Sequence, residues 1–378
     1  MKELLKNTNL KQDWRTTAFS FLIVALIFFA YCTLWQINEV SAKEIQLNNK
    51  IAFLKDGEVW IVDQSGQNIK QLTNTKGKVE DFYFSPSLKY LAYHKILKYV
   101  KEPGIWEKEE APMSAVWSIV IIDLKNQKIL KEIKPHEQEW LYIDTFLPAE
   151  RLLFHDSDSF AVGGYHEYDV VKNVKRELDY EEAQQLGGTD FHEDGSQEVY
   201  VSGKKELHIK NLRSAKDKVV SLKDRDFVSS PAISHNKEHV ALLESTIPKL
   251  FKRGTEKMSD DNKDRNFDYV WIYNIKENRF LNVYKEPSMG KSGFKLSWSF
   301  GDRFIAMLFQ SPIIVIEMKN PKNIFKFGGM SFNWISDNKF VFEEENNVYL
   351  YDLDAQKKTL FLKNATKPVF LKRMGKLQ

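Results

Sequence analysis

From residue 49 onward, short apolar runs alternate with polar turns at a recurring interval. One half of the repeating unit is a pair of apolar stretches about a tight polar turn. It occurs as FYFSPSLKYLAYH (82–94), TFLPAERLLFHDS (145–157), TDFHEDGSQEVYVSG (189–203), PAISHNKEHVALLES (231–245), LSWSFGDRFIAMLFQ (296–310) and FNWISDNKFVFEE (332–344). The turn centres carry Pro, Gly, Asn, Asp or Ser, which set or tolerate turn dihedrals. The flanks are rich in aromatic and β-branched residues, as strands are.

The other half is an alternating strand, a polar turn and a further strand. GEVWIVDQSGQNIKQL (57–72), VWSIVIIDLKNQKILKEI (116–133), YVWIYNIKENRFLNVY (269–284) and NVYLYDLDAQKKTLFL (347–362) are clear copies among seven. Asp63, Asp123, Asn211, Asn274 and Asp352 open this turn, where the side chain can bond the backbone two residues on. Four strands per unit, at a period of roughly 35–60 residues, predict an all-β fold: a β-propeller of seven four-stranded blades spanning 49–378. A blade cannot cover its own faces, so the blades must stack around a channel. The first blade lacks an innermost strand of its own. Either EIQL (44–47) or KPVFLKR (367–373) supplies it, and the second, which leaves no open seam, is preferred.

The SPSLKYLAY unit (85–93) and strands such as GEVWIVD (57–63) resemble the TolB-like propeller repeat, over residues 49 to about 365. The resemblance implies the fold and leaves function open. Only Ser85-Pro86 keeps the Ser-Pro pair of that turn. The same repeat builds the propeller of prolyl-oligopeptidase-like peptidases, but no segment here is long enough for their hydrolase domain.

Ahead of the repeats, residues 18–35 (AFSFLIVALIFFAYCTLW) form an uncharged apolar run, and no charge occurs between Arg15 and Glu39. At a rise of about 1.5 Å per residue, such a segment crosses a hydrocarbon core of about 30 Å. Lys2, Lys6, Lys11 and Arg15 precede it, against Glu3 and Asp13, which places the N-terminus in the cytoplasm. The expected organisation is a cytoplasmic tail (1–16), a transmembrane signal anchor (17–37), a linker (38–48) and a propeller outside the cytoplasm (49–378). This describes a single-pass membrane protein suited to a bacterial envelope. Cleavage after Ala42, in Val40-Ser41-Ala42, is the alternative. A lipid anchor on Cys32 fits poorly with the bulky Tyr31 before it. Cys32 is the only cysteine, so disulfide frameworks and thiolate metal sites are excluded.

Lys and Arg total 55 against 52 Asp and Glu, which gives no concentrated basic face and predicts no nucleic-acid partner. Serine-hydrolase, zinc-protease and nucleotide signatures are missing: the chain has no G-x-S-x-G, H-E-x-x-H or G-x-x-x-x-G-K-[ST], and no catalytic residue is assigned. The paired glycines Gly163-Gly164, Gly187-Gly188 and Gly328-Gly329 read as turns between strands. His235 and His239 bracket a turn and so lack helical metal-ligand geometry. DYEEAQQL (179–186) reads as a short connecting helix, and Trp60, Trp117, Trp271, Trp298 and Trp334 as packing between blades.

Two units are stretched at the same place. Residues 96–115 and 246–268 both separate the second strand of a blade from the third. Strands alternate in direction, so both insertions project from one face, together with the blade-to-blade connections. Tyr99, Ile105 and Trp106 in one, and Phe251, Lys252 and Arg253 in the other, are the candidate binding residues, because aromatic and Arg side chains dominate binding hot spots. Solvated, tolerated loops are the competing reading. Asp260, Asn262 and Asp264 imitate the start of a calcium loop, but Arg265 stands where the sharp turn needs Gly and Trp271 where the bidentate Glu belongs. No cofactor is therefore expected. The function this predicts is a non-catalytic binding or scaffolding propeller, meeting a protein, peptide or glycan partner through the insertion face. A propeller-type hydrolase or lyase with residues at the channel mouth is the alternative.

Overall fold

The second strand of each blade shows why the chain folds as it does. KIAFLK (Lys50–Lys55) buries Ile51, Ala52, Phe53 and Leu54 in succession, and FIAML (Phe304–Leu308) buries Phe304 through Met307. An antiparallel strand with one wet face would alternate. These runs do not, because a neighbouring blade covers each face. The outermost strands are the reverse: in KILKEI (Lys128–Ile133) the first four residues are exposed.

The computed structural model describes residues 46–101, 113–136, 140–157, 162–203, 205–245, 267–287, 295–308 and 312–374. Among these are twenty-eight strands, β1 to β28 in chain order, and one helix, α1 (Tyr180–Gly187). The strands form seven four-stranded antiparallel sheets. The predicted segment 17–37 lies outside the described residues, and among the described residues no helix is long and apolar enough to cross a membrane.

Blades two to seven follow the chain, each from an inner strand outward. The inner strands are β4 (Val79–Phe84), β8 (Trp140–Leu147), β12 (Asp190–Phe191), β16 (Phe227–Ile233), β20 (Lys295–Trp298) and β24 (Phe332–Trp334). Blade one is composite. Its inner strand is β28 (Thr366–Leu371), which pairs antiparallel with β1 (Lys50–Lys55), Lys50 opposite Leu371 and Ile51 opposite Phe370. Of the two segments able to supply it, the C-terminal one does so, and the ring closes.

The core lies between blades rather than within them. Leu243 and Ile272 of blade five pack with Ile305, Met307 and Ile314 of blade six, and Val62 of blade one packs with Val341 and Val348 of blade seven. Each such side chain contributes about 1.5–3 kcal/mol when buried. Trp298 and Trp334 seal these seams as anticipated: their indole N–H groups donate to the carbonyls of Ala232 and Ser297 in the preceding blades, at 2.9 and 3.2 Å.

The turn chemistry follows the sequence in most copies. The Asp123 and Asn211 side chains accept from the amides two and three residues on, as does Asp352. Asn274 accepts from the amide three on, and Asp63 instead engages the side chains of Lys50 and Asn68. Helix α1 forms where expected, with Asp179 as its N-cap accepting from the Glu182 amide at 2.7 Å. One reading is corrected: Gly163-Gly164 do not make a turn but lie within β10 (Val162–Asp169). A Cβ on Gly163 would fall 2.1 Å from Asp156 Oδ1, so glycine there admits the Asp156 carboxylate, which accepts from the Gly164 amide at 2.5 Å.

Candidate functional site

The first site candidate is the face bearing the insertions. In blade two the insertion begins as a lengthened hairpin: β5 (Tyr90–Lys101) and β6 (Met113–Asp123) stay paired out to Lys101 opposite Met113. Tyr99 stands on this extension with 58% of its surface exposed, and Leu97 is also exposed. Ile105, Trp106, Phe251, Lys252 and Arg253 lie outside the described residues, as do Asp260, Asn262 and Asp264. Asp268, four residues past Asp264, is buried and accepts from the Ser245 hydroxyl at 2.7 Å. Among the described residues, no group of three or more His, Cys, Asp or Glu is placed to hold a metal ion.

Three large apolar side chains join Tyr99 and Leu97 on this face. Tyr180 opens α1 between blades three and four, Phe227 begins β16, and Met330 precedes β24. All are more than half exposed. Each belongs to a blade-to-blade connection or a strand start beside one, the same end of the ring as the insertions.

The second candidate sits at the opposite end, where the turns between first and second strands surround the channel. A cavity of about 230 Å³ lies there, lined by residues from blades four to seven and one. Its rim is Glu193, His235, Phe300 and Lys372. Each stands one residue past the turn serine of its blade (Ser234, Ser299) or past the residue in that place (His192, Leu371).

These turns are tied to one another around the ring. The serine hydroxyls accept from amides across their own turns, Ser234 from His239 and Ser299 from Phe304, both at 3.0 Å. Asp302 of blade six accepts from the His235 and Asn236 amides of blade five at 2.8 and 2.9 Å, and lies 3.2 Å from the His235 ring. Burial alone would raise the Asp302 carboxyl. The hydrogen bonds from the His235 ring and from the two amides outweigh it and hold the group below the usual range. Asp337 of blade seven accepts likewise from the Ser299 hydroxyl and the Gly301 amide. Lys237 of blade five reaches Asp194 of blade four.

Across the mouth, Lys372 of blade one pairs with Glu193 of blade four. The Lys372 ammonium lies 4.3 Å over the Phe300 ring. Phe300 packs against Phe370 at 5.6 Å and edge-on against His235 at 5.4 Å. Deeper in, Asp190 accepts from the Ile233 amide at 2.8 Å, and burial pushes its carboxyl up. Lys295 lines the same cavity, near enough to temper that rise.

Neither a family model nor a curated protein matches the chain. Solved structures do. TolB from Acinetobacter baumannii is 13% identical, with a TM-score of 0.39 over 85% of this chain and 66% of its own. The β-propeller domain of Myceliophteria thermophila Cps50 (Swd1) is 10% identical, with a TM-score of 0.42 over 83% of this chain and 95% of its own. A chain of the nidogen/laminin complex is 7% identical, with a TM-score of 0.36 over 86% and 99%. The blade count rests on the strand order itself, and likenesses at this level add nothing about activity.

No motif announced the mouth residues. They come from four blades, and their sequence spacing is irregular. Aligning the repeats on the turn serine would have brought them to one position.

Proposed function

We propose that the chain is a non-catalytic binding or scaffolding propeller that meets a protein, peptide or glycan partner on its insertion face. Its membrane attachment is residues 17–37, with the propeller outside the cytoplasm. The observation that carries the reading is the set of exposed apolar side chains Leu97, Tyr99, Tyr180, Phe227 and Met330 at one end of the ring, beside a hairpin that outgrows its blade. Exposed aromatic groups held by rigid strands are what interface hot spots require. At the rim of the opposite mouth Glu193 is engaged with Lys372 and His235 with Asp302, which favours recognition over chemistry there.

The chain enters the propeller at Asn48 and Asn49, next to Arg373 and Leu371, on the turn face.

The experiment is crosslinking in membranes followed by purification of the full chain. Wild type is compared with Tyr99→Ala and with deletions of 102–112 and 246–266. A partner crosslinked by wild type and lost from the variants supports the reading; an unchanged set of partners overturns it. Protease accessibility of the propeller in intact cells tests the location separately.

A further inference from the structure

We propose that the channel mouth on the turn face is a binding site for a small aliphatic amine, and that the chain fills it with its own Lys372 ammonium. The site lies at the other end of the ring from the insertions and stands independently of the partner reading above.

The geometry shows which chemistry the mouth accepts. A primary ammonium requires a carboxylate for its charge and is further held by the face of an aromatic ring. Both are present: Lys372 pairs with Glu193 and sits 4.3 Å over Phe300. The ring also packs against Phe370 and, perpendicular to it, the His235 ring, so the platform does not depend on Lys372. Glu193 also lies 3.8 Å from His235 Nε2, while the other ring nitrogen faces Asp302.

Lys372, by contrast, is loosely held. It is the first residue past β28, on a flexible four-carbon stem, and its side chain is 38% exposed. An ammonium on such a stem can swing into water, where it is well hydrated. What it leaves behind is not solid protein but the cavity of about 230 Å³ below it. That volume is smaller than the 300–1,000 Å³ or so of sites for drug-sized ligands, and suits a short chain.

The walls of the cavity select its contents. Phe191, Phe300 and Phe370 offer apolar faces for methylene groups. Asp190 presents a second carboxyl group, which accepts from the Ile233 amide and has no ion pair among the described residues. Lys295 offsets part of that charge, so Glu193 is the principal anchor and Asp190 the secondary one. A diamine meets both. An uncharged diol of the same length meets neither, and a carboxylate would face two acids.

The test titrates the full chain with 1,5-diaminopentane by calorimetry, with 1,5-pentanediol as control and thermal unfolding as a second readout. Lys372→Met removes the competing ammonium and keeps its stem. This variant is expected to bind one diamine per chain, saturably and at least tenfold more tightly than wild type, and to ignore the diol. Adding Glu193→Gln is expected to weaken binding at least tenfold, and adding Asp190→Asn severalfold. Lys372→Gln and wild type are titrated alongside, so that misfolding of one variant leaves the measurement intact. Failure of every folded Lys372 variant to bind saturably overturns the proposal, as does diamine binding that Glu193→Gln leaves unchanged or that the diol matches.

Discussion

The backbone N–H of Ile143 donates to Nε2 of His94 at 3.0 Å, across the seam between blades two and three. His94 is buried and stacks on Trp117. It must therefore be neutral at Nε2, since a proton there would face another donor. Burial, reinforced by Lys367 and His155 against the opposing Asp81, pushes its pKa down to about 4. The unfolded chain takes up this proton near 6.5. Stability from His94 is thus complete above 6.5 and lost as pH falls towards 4. Urea unfolding between pH 7 and 4 should show a loss of up to about 3 kcal/mol from this group. His94→Gln, which keeps an acceptor without titrating, should flatten that slope; an unchanged slope would remove His94 as its cause.

Below pH 4 a different set of groups takes over. Asp302 and Asp352 are held below the usual carboxyl range in the folded chain, so they withdraw stability only as they protonate in that more acid window. Asp302 bonds two amides of the neighbouring blade and also stands at a left-handed backbone position, φ 56°. Asp302→Ala should cost about 2 kcal/mol, because it orphans those donors and strains the turn. Asp302→Asn, which keeps one acceptor and tolerates that conformation, should cost clearly less. Equal losses in chemical denaturation would show that the inter-blade bonds are immaterial.

Two glycines should respond very differently to a methyl group. Gly57 sits at φ 65° with Gly77 O only 2.4 Å from where a Cβ would stand, while a Cβ on Gly203 would meet nothing within 4 Å. Gly57→Ala should destabilise by more than about 2 kcal/mol. Gly203→Ala should stay within about 0.5 kcal/mol of wild type. Thermal unfolding of the pair checks both.

Truncation after Ala365 removes β28 and strips β1 of its inner neighbour. It should abolish the single cooperative transition and expose apolar surface to a hydrophobic dye. A truncated chain that unfolds like the whole one would show that blade one stands without closure.

The architecture was legible because each blade carries its own copy of the same local instructions. Apolar runs such as FIAML, turn openers such as Asp123 and the N-cap Asp179 act over a few residues, and a linear reading sees them. Closure by KPVFLKR followed from the same logic, since an uncovered sheet face is costly. The mouth was not legible, because Glu193 and Lys372 are 179 residues apart and meet only once the ring exists. Gly163 was misread for a related reason: the Asp156 carboxylate that excludes a side chain there reaches over from the adjacent strand.

Of the described strands, β28 is synthesised last and β1 first, yet each is the other's partner. Blade one therefore leaves the ribosome with an unpaired edge and keeps it until six further blades have been made. An edge exposed that long invites wrong pairing and attracts chaperones and proteases. A sealed ring is thus a molecular receipt that translation has passed residue 371, and a chain arrested earlier is marked for removal by its own gaping seam.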